Sequence, residues 1–256
     1  MKNWRIVAAS GIGKSHLDQT GECQDAFKSR LIRCHEGEVL IAVVADGAGS
    51  TREGKQGALL ACDIFVDRVE SFLRMKNARI GLLGKEFAEN WIQHFQAEIK
   101  SHATRTEIEI REFASTLVGA VVGETEAVFF QVGDGGIVIS QNGAEGSYEF
   151  AIEPEDWEYA NVTDFLTDED AVGRIKFCLV NQQIEDLILF SDGVYSVAVD
   201  QKHNSPFEPF LIPMISPVRN AREVNGIDEK LHEFLVSERI NEKTDDDKTL
   251  LLASRA

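Results

Sequence analysis

Apolar and polar positions along the chain follow two periods, and the switches between them mark out the elements. Ile6 to Ala9 is a short apolar start that predicts a strand, followed by a polar, Gly-containing loop from Ser10 to Gln24. Val39 to Ala45 is apolar without interruption, which predicts a strand buried on both faces. It runs into Asp46-Gly47-Ala48-Gly49-Ser50, where glycines permit a tight turn, so the strand delivers Asp46 at its C-terminal end. From Glu53 to Met75 the residues Ala58, Cys62, Phe65, Val66, Val69, Phe72 and Leu73 recur every three or four positions, the period of an amphipathic helix. Phe87, Trp91, Phe95 and Ile99 repeat every four and predict a second helix.

After the second helix the period shortens. Leu117 to Val122 and Ala127 to Val132 are β-branched and aromatic runs on either side of Gly123-Glu124-Thr125-Glu126. Ile137 to Ser140 meets Ser147 to Ile152 across Asn142-Gly143, a dipeptide suited to a hairpin, and the four runs together predict an antiparallel meander. Leu187 to Phe190 predicts another buried strand, ending on Ser191-Asp192-Gly193. Ile227, Leu231, Phe234 and Leu235 predict a third helix, and Asp245-Asp246-Asp247-Lys248-Thr249 leads into a terminal strand from Leu250 to Ala253. This order is not the regular alternation of a doubly wound sheet. It predicts an α+β fold in which antiparallel sheets are covered by helices.

Composition narrows the picture. With 256 residues, 43% of them hydrophobic, the chain can bury a large core, and no linker or repeat divides it, so one domain spanning 1–256 is expected. A net charge of -17 repels a polyphosphate backbone and argues against nucleic-acid binding. No apolar run approaches the ~18 residues of a membrane helix and no targeting segment opens the chain, so a soluble, cytoplasmic protein is expected. Cys23, Cys34, Cys62 and Cys178 form no CxxC pair and read as reduced thiols rather than a zinc site. Residues 153–170 carry eight carboxylates and no Lys or Arg, which predicts an exposed excursion.

Two constellations could carry chemistry. Ala8 to Ser15 reads A-x-x-x-x-G-K-S, a permissive phosphate-binding loop, with Leu40 to Asp46 as the strand that would hold its magnesium. That loop needs a helix starting at the lysine, whose N-terminus faces the phosphates, and His16-Leu17-Asp18-Gln19-Thr20-Gly21 has no apolar face to support one. The nucleotide-hydrolase reading is therefore the weaker. The other constellation is a set of aspartates at strand ends: Asp46 and Asp192 after strands, Asp25 and Asp246 before them. Taken singly, each is an ordinary turn residue.

Together they resemble the metal-dependent serine/threonine protein phosphatases of the type 2C family. Ala45-Asp46-Gly47-Ala48-Gly49-Ser50 is similar to that family's DG motif, Gly133-Asp134-Gly135 to its GDS motif and Ser191-Asp192-Gly193 to its SDG motif. Asp246-Asp247-Lys248-Thr249 is similar to the closing DNxT motif and Gln24-Asp25-Ala26 to the first acidic motif, all in family order. The resemblance implies a four-layer α-β-β-α sandwich, two mainly antiparallel sheets flanked by helices, with two Mn²⁺ or Mg²⁺ ions at one end. It implies that Asp46 bridges both ions, that Asp192 and Asp246 complete the first, and that the carbonyl of Gly47 serves the second. Asp134 would join Asp192 at a weaker third ion, and a water between the metals would attack phosphorus. Physical chemistry makes a parallel demand, since two carboxylates ~4 Å apart repel by roughly 4 kcal/mol at an effective dielectric of 20 and call for cations. All-oxygen ligands favour Mg²⁺ or Mn²⁺ over zinc.

The chain departs from the family at three places. Gln24 stands where many members carry Glu, leaving the second metal to Asp25, directly or through water. Thr20 stands where the animal enzymes hold the substrate phosphate with Arg, which leaves Lys14 and His16 as candidate contacts; a lone His16 is more often a loop histidine bonded to backbone than a catalytic group. Ala48 replaces their His after the DG pair, so the leaving group would take its proton from solvent or a metal-bound water, as the bacterial branch implies. The family's variable flap would fall around 153–177. The expected substrates are phosphorylated proteins, in opposition to a serine/threonine kinase, and the different-class alternative is a catalytically silent relative that binds phosphorylated partners.

Overall fold

The computed structural model describes residues 3–17, 21–141, 147–154 and 163–255. In chain order its elements are β1 (Trp4–Gly11), α1 (Lys14–Leu17), β2 (Ala26–Cys34), β3 (Gly37–Ala45), α2 (Gly54–Leu73) and α3 (Lys85–Thr106). There follow β4 (Leu117–Val122), β5 (Ala127–Val132), β6 (Gly136–Gln141), β7 (Glu149–Phe150), α4 (Ala171–Arg174), β8 (Lys176–Val180) and β9 (Ile184–Phe190). The chain closes with α5 (Asp192–Ala198), β10 (Val199–Asp200), β11 (Ser205–Pro206), α6 (Glu208–Asn220), α7 (Ile227–Leu235), α8 (Glu238–Asn241) and β12 (Lys248–Arg255). Among the described residues no helix is long and apolar enough to cross a membrane.

Two five-stranded antiparallel sheets, ordered β2-β3-β4-β5-β8 and β1-β12-β9-β6-β7, stack face to face. Strand β3 shows why its sequence carries no polar residue. Val39, Ile41, Val43 and Ala45 point into a cluster with Phe65 and Val69 of α2 and Trp91 and Phe95 of α3. Leu40, Ala42 and Val44 point the other way, against Ile137, Leu187, Leu189 and Leu251 of the second sheet. With both faces buried, the alternation of a half-exposed strand disappears. On the far side, Ile188, Phe190, Leu250 and Leu252 are covered by Val194 of α5, Leu211 and Ile215 of α6 and Leu231 of α7. The four-layer α-β-β-α sandwich is thus formed, at about 1.5–3 kcal/mol for each large side chain fully removed from water.

Two expectations change, and one helix carried no expectation. The predicted meander is two hairpins in different sheets: β4 pairs β5 in one, β6 pairs β7 in the other. The chain crosses between them at Gly133-Asp134-Gly135, where φ is 79° at Gly133 and 101° at Gly135, a left-handed region glycine enters without a Cβ clash. Periodicity reports strands but not which sheet receives them. The hairpin turn at Asn142-Gly143 lies outside the described residues, although Val138 faces Phe150 and Ile139 faces Glu149 as the pairing requires.

The acidic stretch is not exposed throughout. Residues 155–162 lie outside the described chain, and Glu169 and Asp170 are exposed, but Leu166 is fully buried in the cluster beneath α3. Its N–H donates to the Ser115 carbonyl at 2.9 Å, and Gln96 Nε2 donates to the carbonyls of Leu166 and Asp168 at 3.1 and 2.8 Å. A charge count hides one anchoring leucine. Helix α6 was also not legible, because beyond the Pro209 of its first turn it contains Pro213 and Pro217, interior residues that ordinarily end helices at about 3 kcal/mol each. Spaced four apart, all three are exposed, while Leu211, Ile215 and Val218 are buried.

Candidate active site

The loops that follow β3, β5 and β9 converge at one end of the sandwich. Asp46 leaves β3 with its backbone pinned on both sides: its N–H donates to Thr116 Oγ1 at 3.1 Å and its carbonyl accepts the Thr116 N–H at 2.8 Å. Gly47 follows, and a Cβ there would lie 2.3 Å from the Gly54 carbonyl at the start of α2, so the residue after the aspartate must be glycine. Asp192 opens α5 directly after β9, and a Cβ on Gly193 would lie 1.9 Å from the Asp247 carbonyl oxygen. Asp134 sits at the crossing between the sheets. One carboxylate oxygen from each of Asp46, Asp134 and Asp192 lies within 4.8 Å of the others.

Behind this cluster Asp25 is fully buried. Its Oδ2 accepts the Ser191 hydroxyl at 2.7 Å, and Ser191 Oγ in turn accepts the Thr249 N–H at 2.9 Å. The Oδ1 atoms of Asp25, Asp134 and Asp192 and the Oε1 of Gln24 are buried without a hydrogen-bond donor among the described residues. Burial raises the carboxyls of Asp25 and Asp134. It raises Asp46 and Asp192 further, with the charges of neighbouring aspartates adding to it. Buried acceptors that repel one another and lack donors are what a divalent cation relieves, and a set made only of oxygen fits Mg²⁺ or Mn²⁺.

Asp246 is half-buried in the loop before β12, outside the trio that approaches within 4.8 Å. Its charge nevertheless contributes to raising Asp46, Asp134 and Asp192, which places it in the same field. Its Oδ1 accepts the N–H of Asp247 at 2.9 Å.

Two further residues were not singled out. Asp247 is buried, and its Oδ1 accepts the Gly13 N–H at 2.6 Å while Oδ2 accepts the Gln24 N–H at 2.5 Å and meets His16 Nδ1 at 2.7 Å. One carboxylate thereby ties β12 to the segments that lead into α1 and β2. Lys248 is fully buried, with Nζ donating to Asn241 Oδ1 at 2.7 Å and the Ile12 carbonyl at 3.3 Å, and burial pushes its ammonium down. Nothing in a run of three aspartates and a lysine marks which side chains turn inward.

The candidate phosphate contacts fare differently. His16 is buried, engaged with Asp247, and packed so that a Cβ on Gly49 would lie 2.4 Å from its Nε2. Lys14 is exposed. Ala8 to Gly11, the body of the supposed phosphate loop, is strand, paired from Ala8 opposite Leu251 to Gly11 opposite Lys248, and α1 is a single turn. No phosphate loop is formed. Thr20 lies outside the described residues. Ala48 is buried and its N–H donates to the Ala114 carbonyl at 2.9 Å. From the acidic stretch, Thr163 Oγ1 reaches the site and donates to Asp134 Oδ2 at 2.9 Å.

Fold and site together define a two-sheet sandwich that gathers an all-oxygen cluster of carboxylates at one end. The family profile described as Protein phosphatase 2C matches residues 12–236, and the chain belongs to that family. It is 34% identical over 256 residues to "Serine/threonine-protein phosphatase 3" of Escherichia coli strain K12, covering 98% of each. Its fold is similar to that of the serine/threonine phosphatase of S. agalactiae, with a TM-score of 0.65 at 13% identity, covering 99% of this chain and 100% of that one. It is also similar to the catalytic domain of the serine/threonine protein phosphatase PstP in complex with two manganese ions, with a TM-score of 0.62 at 12% identity, covering 98% and 97%.

Proposed function

We propose that this protein phosphatase 2C member hydrolyses phosphoserine and phosphothreonine esters on proteins with two divalent cations, Mn²⁺ or Mg²⁺, held by Asp46, Asp192, Asp246 and the carbonyl of Gly47. As a member of the family it is a metal-dependent serine/threonine protein phosphatase. The observation that carries the ligand assignment is the convergence of Asp46, Asp134 and Asp192 within 4.8 Å, where Asp134 and Asp192 each keep one buried oxygen without a donor among the described residues. When bound, the cations supply an acidified water as nucleophile and neutralise the phosphoryl oxygens. The chain's own residues do the positioning. Thr116 fixes the backbone of Asp46, and Ser191 turns Asp25 so that its Oδ1 remains for the second cation or its water. Asp134 and Asp192 would together hold a weaker third ion.

The segment around 153–177 is the flap of a single domain spanning 1–256, and it touches the site through Thr163 and Asp134. The substrates are phosphorylated proteins in the cytoplasm, the opposing enzyme is a serine/threonine kinase, and the leaving group takes its proton from solvent because Ala48 offers none. Clustered cation ligands weigh against a catalytically silent phospho-binding relative, which has no use for them. Hydrolysis of a small aryl phosphate and of a phosphothreonine peptide, with Mn²⁺ and again after chelation, tests the reading. Turnover is expected to vanish on chelation and return with metal; turnover that survives exhaustive chelation refutes it.

A further inference from the structure

On the covering layer beyond the second sheet, α5, α6, α7 and α8 leave a groove of about 850 Å³ between them. Its floor is apolar: Phe210 and Phe234 lie 6.1 Å apart, Met214 adjoins them, and Phe207 at the lip is 41% exposed. The exposed rings of Pro209 and Pro213 form one wall. Pro213 and Pro217 have no N–H, so the carbonyls of Pro209 and Pro213 receive no donor from the next turn of α6.

The rim decides the kind of occupant. Lys202, Arg239 and Lys243 are all exposed, and among the described residues no carboxylate pairs with any of them. This stands out on a chain whose net charge is -17. Asp200, the acid on the same rim, is already engaged by His203 Nδ1 at 2.7 Å and by the N–H of Lys202 at 3.0 Å. An apolar trough fringed by unmatched cations complements a segment that is acidic and carries a large apolar side chain.

We propose that this groove docks an acidic segment of the phosphorylated protein substrate, anchored by one bulky apolar residue; the proposal rests on the phosphatase reading above. Geometry connects the two places. Asp192 opens α5 and Val197 of the same helix lines the groove, so they stand roughly 8 Å apart along the axis at about 1.5 Å per residue. Asn241, which ends α8 beside the groove residues Arg239 and Ile240, holds Lys248 Nζ in the strand that follows Asp246. A docked segment therefore delivers phosphoresidues a few positions away in sequence, and the groove selects among substrates that the cations alone treat alike.

The test compares a phosphothreonine peptide bearing an acidic, Trp-containing extension with the same peptide lacking it. The parent enzyme is expected to favour the extended peptide by about tenfold in kcat/KM, through KM, corresponding to roughly 1.4 kcal/mol. Combined Lys202→Glu, Arg239→Glu and Lys243→Glu should abolish the preference while aryl phosphate turnover stays at the parent rate. Fluorescence anisotropy with the labelled extension carrying no phosphate reads docking without turnover, so a failure of the phosphatase reading leaves this arm intact. The extension should bind the parent, bind the charge-reversed variant at least tenfold more weakly, and lose affinity when its Trp is replaced by Ser. If the variant fails to fold, Phe207→Ser and a Lys-substituted extension carry the same comparison. No binding to the parent, binding indifferent to both the rim charges and the Trp, or a concentration-dependent dimer that the charge reversal dissolves without any peptide binding would each overturn the proposal.

Discussion

Among the described residues two groups of carboxylates are withdrawn from water, one fully and one in part, and their charge is treated in opposite ways. On the outer side of the second sheet Asp186 is buried, and the chain itself supplies its partners: Tyr148 donates its hydroxyl at 2.9 Å and the Arg219 guanidinium pairs with the same oxygen. At the end of the sandwich Asp46, Asp134 and Asp192 draw together, and among the described residues no cationic side chain pairs with them. Withdrawal from water alone therefore does not set the candidate site apart from a structural acid. What distinguishes them is whether the fold provides the counter-charge, because an unmatched buried charge costs several kcal/mol that must be met by protonation or by an added cation. Asp247 lies close to the second place and belongs with the first, since three nitrogens of the chain surround it.

The largest expected effect breaks the open cluster. Asp192→Asn keeps the volume and removes a negative ligand, and kcat is expected to fall by roughly 100-fold or more at saturating Mn²⁺, on the scale of electrostatic groups in active sites. The same change should stabilise the metal-free protein by removing like-charge repulsion, and should blunt the rise in Tm that metal gives the parent. Steady-state kinetics together with melting curves with and without Mn²⁺ check both halves. A variant within threefold of the parent rate would show Asp192 to be a turn residue.

The structural acid should answer differently. Asp247→Asn places an NH₂ where two N–H donors now meet carboxylate oxygens, leaving a buried donor facing a donor at about 1–3 kcal/mol. At about 2–4 °C per kcal/mol for a chain of this size, Tm should drop by several degrees. The effect on metal affinity should be smaller than that of Asp192→Asn, and calorimetric titration with Mn²⁺ separates the two.

A pH profile of the metal-free protein sharpens the contrast without mutation. Burial and mutual repulsion raise Asp25, Asp46, Asp134 and Asp192, so their folded-state values lie above the unfolded carboxylate value of about 4. Groups raised in this way contribute stability that is fully present below the unfolded value and lost as pH climbs through the folded values. Metal-free protein should therefore lose Tm as pH rises above about 4, and Mn²⁺ should reverse the trend by favouring the ionised cluster. A metal-free Tm that climbs from pH 4 to 7 would contradict the unmatched cluster.

Asp46, Asp134 and Asp192 were legible because the signal that marks them is local, even where the contact behind it is not. Each stands at the end of an apolar strand beside a glycine, and the glycines are forced by contacts as close as 1.9 Å at Gly193 and 2.3 Å at Gly47. Asp247 was not legible, because its three partners come from Gly13, His16 and Gln24, far away in sequence, and it sits in a run of similar residues. Lys248 was hidden for the same reason, its ammonium being matched by Asn241 and a backbone carbonyl rather than by any neighbouring charge pattern. The covering helices divide along the same line. Spacing alone revealed α2 and α3, whereas the prolines of α6 carry the local signature of a break, and only the buried Leu211, Ile215 and Val218 explain why the helix persists.

The smallest expected effect lies where the two treatments of charge meet, at Asp134. One of its oxygens is satisfied by the chain, Oδ2 accepting the Thr163 hydroxyl, while Oδ1 has no donor among the described residues. That hydroxyl favours the ionised carboxylate, offsetting part of the upward push from burial. It also occupies an acceptor that a third cation would use. Thr163→Val removes the donor at nearly constant volume, and its two consequences oppose one another. The metal-free protein should lose about 1 kcal/mol, the usual net worth of one such bond, while a cation at Asp134 no longer has to displace the hydroxyl. The weak-site affinity for Mn²⁺ is expected to rise by a few-fold with the two tighter sites unchanged. Calorimetric titration resolves this: a few-fold tightening confined to the weakest site supports competition between Thr163 and metal for Asp134. Weakening at that site would instead mean that the hydroxyl holds Asp134 in its ligating orientation.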